Sequence, residues 1–274
     1  MEEKQYSVGI NVLGGAGLSQ AQHIALIAEA GWDAFFTGWD PDRIGKWADA
    51  GARAGLTSAS VHAPFGEVNR MWEAGDAAEH VRNDLVACAT DCGRYGIPVM
   101  VLHPFIGFRD HTPNRIGIDN FRRVVEAADR AGIALSFENV EGEEYLAALM
   151  DAFSDCPHVG FCLDTGHELC YNRGKNMMAL YGDRLNHTHF NDNRGVSGAD
   201  IDWLDDLHLV MGDGAVNWNW VMSRIRASGY TGPLMCELSL TNKPGKHTQD
   251  AYAAMGMEKF YRFAYERALW ASRQ

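Results

Sequence analysis

The chain has 274 residues, of which 46% are hydrophobic and 22% are charged, and its formal net charge is −12. This apolar content is enough for a large buried core, and no unbroken apolar run of about 18 residues predicts a membrane span. The acidic balance argues against a surface that coats nucleic acid. We therefore expect neither a membrane nor a nucleic acid as partner.

The start of the chain and its cysteines predict a cytoplasmic protein. Residues 1–6 are charged and lead directly into a strand-like run, without the basic and apolar regions of a secretory signal. The six cysteines form no CxxC pair, and several lie in apolar runs, where a free thiol behaves as a small hydrophobic group. We expect them to be reduced.

Short apolar or β-branched runs alternate with amphipathic stretches at intervals of about thirty residues, a rhythm typical of βα units in a parallel sheet. The predicted strands are 6–12, 33–37, 57–62, 99–103, 134–138, 160–164, 185–190 and 234–238. Intervening stretches such as 20–30, 77–95, 119–131 and 218–227 have apolar residues at helical spacing. Glycines follow these and similar stretches, where a left-handed helix end favours glycine: Gly31, Gly55, Gly96, Gly132 and Gly229.

Eight such units predict an α/β fold, a single (β/α)8 TIM barrel that spans residues 1–274 as one domain. No linker-like or low-complexity tract divides the chain. An open doubly wound sheet is the alternative. It is disfavoured because the glycine-rich turn after the first strand, residues 14–17, lacks the GxGxxG spacing of a dinucleotide site.

Ionisable residues stand at the ends of six predicted strands, and in a barrel these ends meet at one mouth. They are His62, His103, Glu138, Asp164, His189 and Glu237. A single ionisable residue at the end of a strand could have a purely structural role, but six such residues together predict an active site. Four of them, Glu138, Asp164, His189 and Glu237, have the chemistry to bind one divalent ion, Mn²⁺, Mg²⁺, Co²⁺ or Zn²⁺.

The ordered motifs resemble the xylose isomerase-like barrel superfamily, specifically its sugar phosphate isomerase/epimerase group. The similar pieces cover about two-thirds of the chain: Val61-His62-Ala63-Pro64, Leu102-His103-Pro104, Phe137-Glu138-Asn139, Leu163-Asp164-Thr165-Gly166-His167, His187-Thr188-His189-Phe190-Asn191-Asp192, Asp206-Leu207-His208, Gly212-Asp213-Gly214-Ala215-Val216-Asn217-Trp218 and Glu237. The resemblance implies the same four metal ligands.

For catalysis, the resemblance implies that Glu138 and Glu237 also exchange a proton with a sugar or polyol-like substrate, next to its carbonyl. It implies that His167 lies beside that substrate, and Arg194 is the candidate arginine for contact with the sugar. The other motif histidines, His62, His103 and His208, are expected to bind substrate as well.

The sequence departs from the group in two places. The stretch 195–205 is longer than in the epimerases, and the second strand ends Phe36-Thr37-Gly38-Trp39, where many relatives have a glutamate.

Three other functions remain open. Endonuclease IV-type enzymes of the same superfamily bind three zinc ions, and their ligand pattern is similar to nine residues here: His62, His103, Glu138, Asp164, His167, His189, Asp206, His208 and Glu237. The second alternative is a related lyase or dehydratase that uses the same metal and base. The third is a sugar-binding module without catalytic activity. Tryptophans in or near predicted loops, Trp39, Trp72, Trp203 and Trp218, could form a subunit interface, so a homo-oligomer stays open.

Overall fold

The structure is a computed structural model that describes residues 6–109 and 112–274. The first five residues, on which part of the cytoplasmic prediction depends, lie outside the described residues. Across the described part of the chain, no helix is both long enough and apolar enough to cross a bilayer.

Eight parallel strands alternate with helices along the chain. The strands are β1 (Val8–Asn11), β2 (Ala34–Gly38), β3 (Thr57–His62), β4 (Val99–Leu102), β5 (Ala134–Glu138), β6 (Val159–Asp164), β7 (Leu185–His189) and β8 (Leu234–Cys236). The helices are α1 (Gln20–Ala30), α2 (Ile44–Ala54), α3 (Asp76–Arg94), α4 (Arg115–Ala131), α5 (Glu143–Ala152), α6 (Thr165–Leu169), α7 (Met178–Tyr181), α8 (Trp218–Ser228), α9 (Asp250–Ala253) and α10 (Met257–Ser272).

The strands close into a ring. Each strand from β1 to β6 pairs with the next in the chain, and β8 pairs with β1. The last gap, between β7 and β8, is closed by Phe190, whose N–H donates to the carbonyl of Met235 at 2.6 Å. The N–H of Glu237 in turn donates to the carbonyl of Phe190 at 3.0 Å. The predicted (β/α)8 barrel is therefore confirmed.

The predicted strands agree with the structure to within one or two residues at each end, and 57–62 and 134–138 agree fully. The eighth strand is shorter than predicted. Beyond Cys236 the backbone leaves the ladder, because the N–H of Leu238 donates to the side chain of Asn11 at 2.9 Å rather than to a neighbouring strand. Four of the predicted glycine stops, Gly31, Gly55, Gly132 and Gly229, are left-handed caps of their helices.

The inside of the barrel is filled by side chains and leaves no room for a β-carbon at Gly9. A β-carbon there would collide with the side chain of Met235. Met235 forms a small buried cluster with Ala34, Phe36 and Ala59, and such a packed barrel interior restricts any site to the mouth.

A buried ion pair joins the mouth-side helix α6 to the outer helix α8. Glu168 is 3% exposed, and its two carboxylate oxygens accept hydrogen bonds of 2.7 Å from the two terminal nitrogens of Arg224. Glu168 also accepts the N–H of Met177 at 3.0 Å. This pair fixes α6, which follows directly on Asp164.

We expect Arg224→Ala to lower the free energy of unfolding by about 3–5 kcal/mol, because it leaves the Glu168 carboxylate buried without its partner. Urea denaturation followed by far-UV circular dichroism measures this loss. Arg226→Ala, at an exposed position of the same helix, is the control and should change stability by about 0.5 kcal/mol or less. A loss below about 1 kcal/mol in Arg224→Ala would contradict the assigned role of the pair.

Candidate active site

Every strand from β3 to β8 brings an ionisable side chain to the same end of the barrel. His62, Glu138, Asp164 and His189 are the last residues of their strands. His103 directly follows β4, and Glu237 directly follows β8. Because all eight strands are parallel, these residues surround one opening.

The four predicted metal ligands lie together at the base of this opening. One ligand atom from each of Glu138, Asp164, His189 and Glu237 falls within 4.8 Å of the others. Nδ1 of His189 lies 3.0 Å from Oε1 of Glu138 and 3.3 Å from Oε2 of Glu237. Residues from four strands, 99 positions apart at most, thus converge on a volume that one cation could fill.

Two further observations indicate that these four side chains suit a divalent ion. Oε2 of Glu138 is buried and accepts no hydrogen bond, which is costly for a carboxylate oxygen unless a charge compensates it. Glu138, Asp164 and His189 are fully buried. Three carboxylates and one imidazole in such a space match the hard or borderline ligands that Mn²⁺, Mg²⁺, Co²⁺ and Zn²⁺ accept.

The carboxylates of the cluster differ in how readily they ionise. Burial alone would raise the pKa of Glu138, but His189, His103 and His167 surround its carboxylate and hold the pKa well below its usual value. Burial also opposes ionisation of Glu237, yet the positive charge of His189 lowers its pKa to about 2. Burial raises the pKa of Asp164 to about 6. Imidazolium charge therefore balances two of the three carboxylates.

A second group of donors lies on the β3–β4 side of Glu138. Nε2 of His62 and Nε2 of His103 are 3.2 Å apart, and both face Oε2 of Glu138, at 3.5 and 3.3 Å. Phe65 covers this pair, stacked on His103 with ring centroids 4.4 Å apart. Three potential ligand atoms meet here too.

A third group lies on the opposite side and comprises His167, Asp206 and His208. Nε2 of His167 is 3.4 Å from Asp206, and Nε2 of His208 is 3.0 Å from the same oxygen. Burial lowers and Asp206 raises the pKa of His208, with a net rise to about 9. His208 has a left-handed backbone, with φ +48°, and its Nδ1 lies 2.9 Å from the carbonyl oxygen of Glu237.

Two buried asparagines hold Asp164 in place, and we did not predict them as site residues. Nδ2 of Asn191 donates to Oδ2 of Asp164 at 2.7 Å, and the N–H of Asp164 donates to Oδ1 of Asn139 at 2.8 Å. A β-carbon at Gly166 would collide with Asn191. The available signal was their position in the family motifs, since Asn139 directly follows Glu138 and Asn191 is two residues after His189.

Buried Asp192 organises the loop that contains Asp206 and His208. Its carboxylate accepts hydrogen bonds from the N–H groups of Gly212 at 2.7 Å and Val216 at 2.9 Å, and from the indole of Trp218 at 3.1 Å. Its backbone pairs with Leu209 in both directions. These contacts fix the residue that follows His208.

An open cavity of about 280 Å³ lies above the cluster. Four of the five predicted substrate-binding residues line it: His62, His103, His167 and His208. Glu237 is also in the wall, whereas Glu138 is fully buried and is not one of the wall residues. Arg194 is exposed and does not belong to this wall, so its contact with substrate stays a prediction.

A neighbouring cavity of about 410 Å³ opens on the side of β2. Thr37, Gly38 and Trp39 line it together with His62 and Glu237. This is where the sequence lacks the glutamate of many relatives, and no atom lies within 4 Å of a β-carbon placed on Gly38. The absence of that glutamate therefore leaves space beside Glu237.

Two relatives illustrate the sequence similarity. An uncharacterized protein of Sinorhizobium fredii, y4fM, is 27% identical over 89% of this chain and 90% of its own length. The rhizopine catabolism protein MocC of Rhizobium meliloti is 28% identical over 52% of this chain and 48% of its own.

Solved structures with the same fold include a D-psicose 3-epimerase with D-tagatose from Clostridium cellulolyticum, at TM-score 0.74 and 15% identity, covering 97% of this chain and 99% of that one. A xylose isomerase domain protein from Planctomyces limnophilus has a TM-score of 0.72 and 16% identity, covering 98% and 97%. An L-ribulose 3-epimerase has a TM-score of 0.72 and 15% identity, covering 98% and 95%. At such identities the likeness concerns the fold.

The family profile described as xylose isomerase-like TIM barrel matches residues 24–259. This range contains all six ionisable strand ends and seven of the eight strands. The match confirms the resemblance seen in the motifs, and the chain belongs to the xylose isomerase-like TIM barrel family.

Proposed function

We propose that this protein is a divalent-metal-dependent sugar isomerase or epimerase, which moves a proton next to the carbonyl of a sugar or polyol-like substrate. The observation that carries the proposal is the convergence of Glu138, Asp164, His189 and Glu237 within 4.8 Å, directly below a cavity lined by polar side chains. The epimerases among proteins of the same fold support the substrate class.

The four converging residues would hold the ion. When bound, a divalent cation supplies positive charge to substrate oxygens and so favours the negative charge that develops when a carbon next to the carbonyl loses its proton. Carboxylate ligands in a buried place suit this arrangement, because few water molecules compete there with the substrate oxygens.

Glu237 is the better placed of the two glutamates to exchange the proton. It belongs to the cavity wall, and its side chain is 18% exposed. The charge of His189 keeps the Glu237 carboxylate ionised, which is the form that can accept a proton, and at the same time lowers its basicity. Glu138 faces the same cluster of predicted metal ligands from below the cavity, where His62, His103 and His167 cover it. Proton return from Glu138 would require the substrate to reach past these histidines.

The histidines of the wall would bind substrate oxygens. His62, His103, His167 and His208 present ring nitrogens around the cavity, and imidazoles can donate to hydroxyl or carbonyl oxygens. Phe65 is 43% exposed beside them and offers an apolar face to the carbon skeleton. This combination suits a small polyhydroxylated molecule.

A second candidate function is phosphodiester hydrolysis at a cluster of several ions. The specific observation in its favour is that the two flanking groups, His62 with His103 and His167 with Asp206 and His208, also bring potential ligand atoms together. Acidic residues around the mouth, Glu141, Asp200 and Asp202, disfavour it because they would repel a phosphate backbone.

Metal binding distinguishes these functions. We expect one equivalent of Mn²⁺ per chain, measured by inductively coupled plasma mass spectrometry after dialysis, and a rise in Tm on loading, because an ion that binds only the folded state stabilises it. His189→Ala should lose both effects, whereas His80→Ala, at an exposed position on α3, should keep them. Three zinc ions per chain together with cleavage of abasic DNA would instead favour the nuclease.

Proton exchange tests the chemistry. We expect the Mn²⁺-loaded protein, incubated with a panel of ketoses in D₂O, to introduce deuterium at one carbon next to the carbonyl, as seen by NMR. Glu237→Gln should lower the exchange rate by about 10²–10⁴-fold, because the amide cannot accept the proton. Glu138→Gln should lower it as well, because the amide is a weaker ligand than the carboxylate for the ion.

The folded state of each variant is checked by circular dichroism, and Glu143→Gln, at a glutamate on α5 whose side chain is 28% exposed, is the matched control. Exchange at the normal rate in both active-site variants would reject the assigned roles. Loss of water from a hydroxylated keto acid, seen by ultraviolet absorbance, would point to the lyase instead.

A further inference from the structure

A larger cavity of about 540 Å³ adjoins the one above the predicted metal ligands. The two cavities share three wall residues, Glu141, Tyr171 and Trp203. Small-molecule pockets typically measure roughly 300–1,000 Å³, so the inner cavity of about 280 Å³ lies just below that range. The mouth therefore contains much more space than the reacting part of a substrate needs.

The outer cavity displays aromatic rings that are partly exposed, although the ammonium of Lys243 lies 5.2 Å from the ring centroid of Trp203. Trp203 is 48% exposed and Phe108 is 38% exposed, although both rings are large and apolar. Tyr171 lies between the cavities, with its ring centroid 5.7 Å from that of Phe108 and 4.8 Å from that of His167. Exposed rings grouped in a concave place indicate a binding surface.

The charges around these rings are mixed in sign. Two arginines, Arg109 and Arg173, and three carboxylates, Glu141, Asp200 and Asp202, line the same cavity. The carboxylates outnumber the arginines, which disfavours a phosphate or another strong anion. Guanidinium and carboxylate groups next to aromatic rings instead match a sugar ring. Its hydroxyl groups can form hydrogen bonds with the charged groups, and its apolar C–H faces can stack on the aromatic rings.

Two sets of contacts hold the part of the outer cavity's wall that contains Trp203. Nη2 of Arg173 donates to the carbonyl of Ala199 at 2.9 Å and ties the segment after α6 to the stretch that leads to Trp203. Asp205, two residues later, accepts from the hydroxyl of Ser197 at 2.6 Å and from Lys246 at 2.9 Å. The long stretch 195–205 thus forms a preorganised wall.

We propose that the outer cavity binds a second sugar ring, so that the preferred substrate is a glycosylated ketose or a similar glycoside rather than a free monosaccharide. This inference rests on the proposed function of the inner cavity. The reacting ring lies above Glu237, and the second ring stacks on Phe108 and Trp203 and hydrogen-bonds to Arg173 and Glu141.

Isothermal titration calorimetry on the full Mn²⁺-loaded chain tests this. The probes are D-fructose and four ketoses that carry one added hexose: turanose, maltulose, isomaltulose and lactulose. We expect at least one disaccharide to bind about tenfold or more tightly than D-fructose, because the second ring adds stacking and hydrogen bonds.

Phe108→Ala, at a ring that lines the outer cavity but not the inner one, should remove most of this preference and leave the affinity for D-fructose unchanged, and Phe108→Tyr should keep it. Trp270→Ala is the control for loss of an exposed aromatic ring, since Trp270 is 40% exposed on α10 and lines neither cavity. The inference is overturned if no disaccharide binds more than twofold better than D-fructose, or if Phe108→Ala weakens both kinds of ligand equally.

Deuterium exchange on the same sugars separates the two proposals. Exchange with D-fructose but no preference for a disaccharide rejects the second-ring site alone. A disaccharide preference that depends on Phe108, without exchange on any of the five sugars, supports the second-ring site and rejects proton transfer on these ketoses.

Discussion

Three carboxylates, those of Glu138, Asp164 and Glu237, are brought together within a few ångströms at the base of the barrel mouth. Like charges at this distance in a water-poor environment repel strongly, so the cluster needs positive charge to exist. In the structure His189 supplies it by direct contact with both glutamates. A divalent ion would supply more positive charge than His189 alone. The cluster of three carboxylates is therefore costly for folding but suited to holding an ion for catalysis.

The surroundings of this cluster are specialised for orientation. Asn139 and Asn191 hold Asp164 from two sides, and Asp192 anchors the loop that presents His208. Side chains that position ligands in this way restrict their rotamers and make the geometry of a site reproducible. The ion pair of Glu168 and Arg224 extends the same support to the outer helices.

The choice between sugar chemistry and phosphodiester chemistry depends on what surrounds the centre more than on its ligands. Histidines and carboxylates that could bind additional ions flank the central four. The wider mouth, however, combines partly exposed rings such as Trp203 with acidic residues, among them Asp200 and Asp202. Such a surface accommodates hydroxyl groups and apolar sugar faces better than a polyanion, in agreement with the formal net charge of −12.

The sequence by itself determined the architecture, because apolar periodicity and glycine helix ends are local signals. The strands at 57–62 and 134–138 agreed fully, and strand ends such as His62 and Glu138 could be recognised as one group since parallel strands share a mouth. Only the tertiary structure decided how the chain ends its eighth strand, where Asn11, more than 200 positions away, takes the hydrogen bond of Leu238. It alone also revealed the two joined cavities and the exposure of Trp203 between them. Such features depend on distances between loops far apart in the chain, and no local pattern of residues encodes those distances.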